Sequence, residues 1–376
     1  MSARSATPPP LNRHLRRLLP YPPGKPIEEV KREFGLSEVC KLASNENPLG
    51  PSPRALKAMA AIAGEMNLYP DGSAYYLKQA LAERLGVSPA ELILGNGSDE
   101  IIVFLALAYL NRRRDLVTSD YAFVRYRMAA ELAGAPCRLA PMRDMRHDLR
   151  ALARHITPQT AMVCLDLPGN PTGASVSRRE LERFLRAIPP SVIVVLDQAY
   201  FEYAVADPDY PDGLALRARF PNLVVTRTFS KAYGLAGLRI GYAVARPEIV
   251  TDLERIRPPF NTTRVSQAAA IAALDDHAHL RRSTAANAQG LAQLRQGFDR
   301  LGLKQWPSLA NFILVDVGRD GREVFQALLR AGIVTRPMAG IGLPTGLRIS
   351  VGTPRQNRAC LAALGRILRE GAQAAS

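Results

Sequence analysis

The chain has 376 residues, 47% hydrophobic and 22% charged, which excludes a peptide-scale module and a disordered polymer and is enough for a large domain plus a smaller one. Its net charge of +15 comes mostly from scattered arginines, the longest run being Arg112, Arg113 and Arg114, so a solvated basic surface and anionic small molecules explain it better than a nucleic-acid-binding tail. Cys40, Cys137, Cys164 and Cys360 form no close pair and the histidines show no ligand spacing, so free thiols in a reducing cytoplasm and no metal are expected.

In chain order, residues 1–47 read as an extended arm. Arg4, Arg13, Arg16 and Arg17 precede the first acidic residue, Glu28, as in a transit peptide, but Pro8, Pro9, Pro10, Pro20, Pro22, Pro23 and Pro26 rule out one continuous helix. Residues 52–63 and 73–85 read as helices and Glu91–Leu94 as a short strand. The apolar stretch Ile101–Leu110 then reads as helix, being far short of the ~20 residues that cross a bilayer. Short apolar runs follow at Leu116–Thr118, Ala161–Leu165, Val192–Leu196, Leu223–Thr226 and Ile240–Val244, with helical segments between them. Such runs predict an α/β fold whose central sheet is buried and mostly parallel. Residues 266–300 read as one long helix, and Asn311–Val317, Arg322–Ala331 and Leu347–Val351 as a small α/β domain. The expected division is an arm at 1–47, a large domain at 48–265, and a connecting helix with a small domain at 266–376.

Four segments carry chemistry. Lys231 follows the run Leu223–Thr226, at the strand end where open α/β sheets bind ligands, and it is the only lysine between Lys78 and Lys304. A Schiff base needs a primary amine, which arginine cannot supply. Asp197 ends the apolar run Val192–Leu196, where a carboxylate can cap a helix or hold a pyridine nitrogen protonated; Tyr200 lies three residues on. Asn170 sits in the turn Pro168-Gly-Asn-Pro-Thr-Gly173, which turn chemistry alone explains. Gly95-Asn96-Gly97-Ser98-Asp99-Glu100 runs into a helix, whose free amides can take a phosphate.

Taken with Tyr21-Pro-Pro-Gly-Lys-Pro26, Leu42-Ala-Ser-Asn-Glu-Asn-Pro-Leu-Gly50, Tyr69-Pro-Asp-Gly72, Tyr121-Ala-Phe123, Arg336-Pro-Met338 and Gly346-Leu-Arg-Ile-Ser-Val-Gly352, these segments make the chain resemble the class I/II, fold-type I aminotransferases. Within that group it is similar to the histidinol-phosphate aminotransferases, nearly end to end. The resemblance implies a homodimer using pyridoxal 5'-phosphate, held by Lys231 as a Schiff base. Asp197 would pair with the ring nitrogen, Asn170 and Tyr200 with the ring oxygen, and Phe123 would stack on the ring. The phosphate would meet the amides of Gly97, Ser98 and Asp99, the Ser230 hydroxyl, Arg239, and Tyr69 of the second subunit. Arg348 would take a substrate carboxylate, and Arg336 with Tyr21 a substrate phosphate. Gln198, Gly169 and Ile341 depart from the usual glutamate, asparagine and tyrosine.

The implied reaction moves an amino group between histidinol phosphate and 2-oxoglutarate, with imidazole-acetol phosphate and glutamate as products, and uses no membrane or nucleic acid. Transamination of aromatic amino acids, decarboxylation of a phosphorylated amino acid, and a DNA-binding regulator on an aminotransferase-like body are the competing readings.

Overall fold

A computed structural model describes residues 9–20 and 24–373. Seven strands form the main sheet, in the spatial order Leu92–Gly95, Gly241–Val244, Leu223–Thr228, Ile193–Asp197, Thr160–Asp166, Asp115–Ser119 and Cys137–Ala140. Neighbours are parallel from Leu223–Thr228 onward, and Gly241–Val244 runs antiparallel to both of its partners. Apart from the edge strand Cys137–Ala140, the strands are buried along almost all of their length because helices cover both faces, which explains their Val, Leu and Ile runs. Val163, Leu165, Val194, Leu196 and Val225 pack into one apolar cluster; Met162, Cys164, Ile193, Val195 and Val224, alternating with them, pack into a second on the other face.

A second sheet orders Lys304–Gln305, Phe312–Asp316, Gly346–Ser350 and Arg336–Pro337, all antiparallel. Its apolar face, with Ile313, Val315, Leu347 and Ile349, packs against the helices His277–Arg300 and Pro354–Gln373 through Leu294, Phe298 and Leu364.

Several elements differ from the sequence reading. The segment read as an extended arm holds a helix, Ile27–Phe34, with Glu28 and Glu29 in its first turn, Lys31 and Arg32 in its last, and Gly35 in the left-handed conformation beyond it. These charges suit the helix dipole, and the glycine ends the helix. Cys40 and Lys41 then pair with Ile333 and Val334 in a separate two-stranded parallel sheet, the latter pair lying just before the strand Arg336–Pro337 in sequence. The helix read over 266–300 is two, Arg264–Leu274 and His277–Arg300, because Asp276 leaves helical geometry and its carboxylate caps the second by accepting from the His279 amide. The helix read from residue 73 starts at Tyr75, since Asp71 accepts the Ser73 and Tyr75 amides and Ala74 adopts a positive φ. The strand Cys137–Ala140 was not expected; only Leu139 and Ala140 give it an apolar run. Of the four free thiols, Cys164 and Cys360 are buried while Cys40 and Cys137 are half-buried. Among the described residues, no helix is long and apolar enough to cross a membrane.

The loop carrying Lys231 is locked by backbone contact. Gly234 has φ +72°, and a Cβ there would stand 2.1 Å from the Gly50 carbonyl oxygen. Gly234→Ala combines an unfavourable left-handed backbone with a clash that no side-chain motion relieves, so it is expected to cost about 2–4 kcal/mol. Urea denaturation checks this, and a loss below the error of the method would contradict it.

Candidate active site

The carboxyl ends of the parallel strands open onto a cavity of about 310 Å³. All of these strands but the edge strand Cys137–Ala140 deliver a piece of its wall. Asp197 and Asp166 are the last residues of adjacent strands and stand in register. Thr228 ends the next strand, with Ser230 and Lys231 in the loop after it. The Leu92–Gly95 strand turns into the helix Ser98–Tyr109, and Phe123 follows Asp115–Ser119. From the second sheet come Arg336 and Arg348, directly opposite each other on antiparallel neighbours and therefore on one face.

The cavity gathers nearly all of the residues singled out from the sequence: Lys231, Asp197, Tyr200, Asn170, Phe123, Gly97, Ser98, Asp99, Ser230, Arg239, Arg336 and Arg348. Tyr69 is not among them. It is 79% exposed on the outer surface, stacked on Phe260 at 4.7 Å. Tyr21 lies outside the described residues. Gln198 is buried away from the cavity, donating to Tyr210 and to the Pro211 carbonyl and accepting from Gly213 and Arg227. At Gly169 a Cβ would stand 2.7 Å from the Thr172 hydroxyl, so a side chain there meets crowding, and Ile341 sits half-buried on a 3-10 turn outside the cavity lining.

Lys231 is half-buried, its amine donating to the Ser44 carbonyl at 3.3 Å. Burial, then the positive charge of Arg348, push its pKa down to about 8, leaving an appreciable neutral, nucleophilic fraction near neutral pH. Asp197 accepts from Tyr126 (3.0 Å), Thr226 (3.0 Å) and the Ala199 amide (3.2 Å). Even so, burial and then the charge of Asp166 push its carboxyl up to about 6. Burial also raises Tyr200 to about 12, so its hydroxyl keeps its proton while accepting from the Asn45 amide at 2.9 Å. Asn170 accepts from Arg348 at 2.6 Å through Oδ1, and its amide nitrogen is the donor it can turn to a ligand. Arg348 also reaches the Ala43 carbonyl at 2.5 Å, bridging the two halves of the cavity.

One expectation is corrected at the phosphate end. The Gly97 amide donates to the Arg239 carbonyl at 3.1 Å, so it is engaged by backbone, and the Ser98 and Asp99 amides are the ones that open the helix. Gly97 matters through its missing side chain: a Cβ there would stand 2.7 Å from a nitrogen of the Arg239 guanidinium, which also contacts the Ser230 hydroxyl at 3.4 Å. Two helix-start amides, a hydroxyl and a guanidinium form a cradle suited to a phosphate monoester dianion. Asp99 keeps its own carboxylate turned to Arg125, at 2.5 and 3.0 Å.

Sequence reasoning missed Asn45, Tyr126 and Asp166. Asn45 lies in the quoted segment Leu42–Gly50, and Tyr126 sits one helical turn after Phe123. Asp166 ends an apolar strand just as Asp197 does, which was a usable signal.

The raised carboxyl of Asp197 has a sign that can be checked. The folded, cofactor-free protein holds that proton more firmly than the unfolded chain, whose carboxyl titrates near 3.8. The associated stability is complete below the unfolded value and is lost as pH rises through about 6, an effect of about 2–3 kcal/mol. Relative to wild type, cofactor-free Asp197→Asn should therefore gain stability between pH 4 and 6. A difference that is flat across this range, measured by denaturant titration, would contradict the shift.

A lysine amine, a buried carboxylate and a cradle suited to phosphate share one cavity at the strand ends of an α/β sheet, an arrangement suited to amine chemistry on a phosphorylated ligand. The comparisons narrow this. The chain belongs to the class I and II aminotransferase family, whose model matches residues 37–364. It is 50% identical over 364 residues to a histidinol-phosphate aminotransferase of Moorella thermoacetica, covering 96% of this chain and 94% of the relative. It is 51% identical over 357 residues to one of Anaeromyxobacter sp., covering 94% and 98%. The fold is similar, with TM-score 0.88 and 31% identity over 96% of this chain and 98% of the other, to the crystal structure of histidinol-phosphate aminotransferase from Sinorhizobium meliloti in complex with pyridoxal-5'-phosphate.

Proposed function

We propose that this aminotransferase uses pyridoxal 5'-phosphate to move the amino group of histidinol phosphate to 2-oxoglutarate, giving imidazole-acetol phosphate and glutamate, a step of histidine biosynthesis. The observation that carries the reading is half-identity, nearly end to end, to relatives of that name. The cavity fits such chemistry, with a phosphate cradle at one end and Arg336 and Arg348 side by side at the other.

When bound, the cofactor supplies an electron-poor ring that makes the Cα proton of the amino donor acidic. The roles of the residues follow from what each can donate or hold. Lys231, with its lowered pKa, would hold the cofactor through its aldehyde carbon, and its amine, once released, would take and return the proton at the Cα of the amino donor. Asp197 would hold a proton at the ring nitrogen, and Tyr200 and Asn170 would donate to the ring oxygen. Phe123 packs on the ring face. Ser98, Asp99, Ser230 and Arg239 take the cofactor phosphate. Arg348 pairs with the carboxylate of glutamate or 2-oxoglutarate, and Arg336, with Tyr21, binds the substrate phosphate. Tyr69, exposed as are Leu68, Tyr75 and Tyr76, would complete the cradle of a second subunit, making the active unit a homodimer. The cytoplasm is the setting that four free cysteines suit. We keep the division into 1–47, 48–265 and 266–376, supported by the separate seven- and four-stranded sheets, with Cys40 and Lys41 pairing the arm to Ile333 and Val334 within the last segment.

Comparing kcat/KM for histidinol phosphate and phenylalanine tests the substrate: a preference for phenylalanine overturns it. Carbon dioxide release without a keto-acid partner would instead indicate decarboxylation. Arg336→Ala should raise the KM for histidinol phosphate about 10–100-fold, the worth of a charged hydrogen bond, and leave that for 2-oxoglutarate within a few-fold. An equal effect on both substrates would contradict its assignment to the phosphate.

A further inference from the structure

Asp166 has no role in the chemistry described above, yet it is one of the most constrained groups near the cavity. It is 3% exposed, lines the cavity, and sits in register with Asp197, itself 4% exposed. One carboxylate oxygen accepts the Asn170 amide at 2.6 Å and the Phe123 amide at 3.2 Å. The other lies 3.1 Å from Nε2 of His147. That ring nitrogen faces two acceptors, the Asp166 carboxylate and the Asp166 carbonyl at 3.1 Å, so it carries the hydrogen. The opposite nitrogen, Nδ1, lies 2.7 Å from the Ser119 hydroxyl. Ser119, His147 and Asp166 thus form a buried chain, with Asp197 beyond its end. Lys231, Arg348 and Tyr200 line the same cavity as this pair of carboxylates, and the Tyr126 phenol donates to Asp197.

A second buried carboxylate beside the first is costly unless its charge is used, because each ion loses hydration and the two repel. Bonding the two loop amides does not require that charge, since an asparagine oxygen would accept both. Resting on the reading of the cavity as a pyridoxal phosphate site, we propose that Asp166, held by His147, is a positioning residue whose negative charge, one strand from Asp197, favours a protonated ring nitrogen on the cofactor. Asp197 touches that nitrogen, and Asp166 acts through Asp197. The same carboxylate holds the backbone of the two loops that carry Phe123 and Asn170.

Calorimetric titration of cofactor-free protein separates charge from packing, using pyridoxal phosphate and its 1-deaza analogue, which has C–H in place of the ring nitrogen. Asp166→Asn keeps an acceptor for the loop amides and removes the charge. Its preference for pyridoxal phosphate over the analogue is expected to fall about tenfold, with affinity for the analogue changed less than about threefold. His147→Gln keeps a donor to Asp166 and should keep the preference within about threefold of wild type. Asp166→Ser, which also lacks the charge, reads the same ratio if the asparagine variant does not fold. An unchanged preference in the charge-removing variant, including equal loss for both ligands, overturns the proposal. Wild-type protein that binds no pyridoxal phosphate would overturn the reading of the cavity instead; tight wild-type binding with an unchanged ratio would overturn this proposal alone.

Discussion

Lys231→Ala is expected to lower kcat/KM by roughly 10⁴-fold or more, because the proposed mechanism gives this one position both the covalent anchor and the proton transfer. Arginine cannot substitute, and the next lysines in sequence, Lys78 and Lys304, are committed elsewhere: Lys78 pairs with Glu254 at 3.0 Å, and Lys304 lies 5.2 Å from the Trp306 ring. The amine donates to the Ser44 carbonyl, a weak contact at 3.3 Å, so alanine costs the fold little. The variant should melt near wild type, retain pyridoxal phosphate only through the phosphate cradle and Asp197, and lack the wild-type visible band. Single-turnover kinetics with histidinol phosphate check the loss; a fall of less than about tenfold would remove Lys231 from the proton transfer.

The second large effect belongs to Asp197→Asn. An amide can still accept from Thr226 or Tyr126, but it carries no charge and turns a hydrogen-bond donor toward one of them. Without a carboxylate at this strand end the ring nitrogen loses the group that keeps it protonated, and kcat should fall about 10²–10³-fold, as when an electrostatic stabiliser is removed from a buried site. Since the carboxyl is strained by burial and by Asp166, the same substitution should stabilise the cofactor-free protein above pH 6. Opposite signs for activity and stability are what distinguish a functional carboxylate from a structural cap. A variant that loses both would mark Asp197 as a cap.

The central sheet was legible because its strands are buried on both faces: Val192–Leu196 was read and Ile193–Asp197 is found, and the other main-sheet runs shift by similar amounts. What failed was local. Prolines before residue 27 drew attention from Ile27–Phe34, although Glu28, Glu29 and Gly35 give that helix both of its ends. An even Ala, Gln and Leu composition across 266–300 hid the break that Asp276 makes. The site was legible only as a set of separate segments, which the resemblance joined. Arg348 and Ala43, 305 positions apart in sequence, share a hydrogen bond that no local pattern could foretell. His147 has no metal-ligand spacing to draw notice in the sequence, and its partner, Asp166, is 19 residues away on a neighbouring element. Gly97 was read for its amide, which donates to the Arg239 carbonyl, whereas the turn leaves no room for a side chain at that position.

The most direct test is a half-reaction on purified wild-type protein loaded with pyridoxal phosphate. Histidinol phosphate, added without a keto acid, should bleach the visible absorbance of the bound cofactor in a single turnover, and 2-oxoglutarate should restore it while glutamate forms in equal amount. Absorbance that histidinol phosphate leaves unchanged, or protein that acquires no visible band with pyridoxal phosphate, would contradict the account.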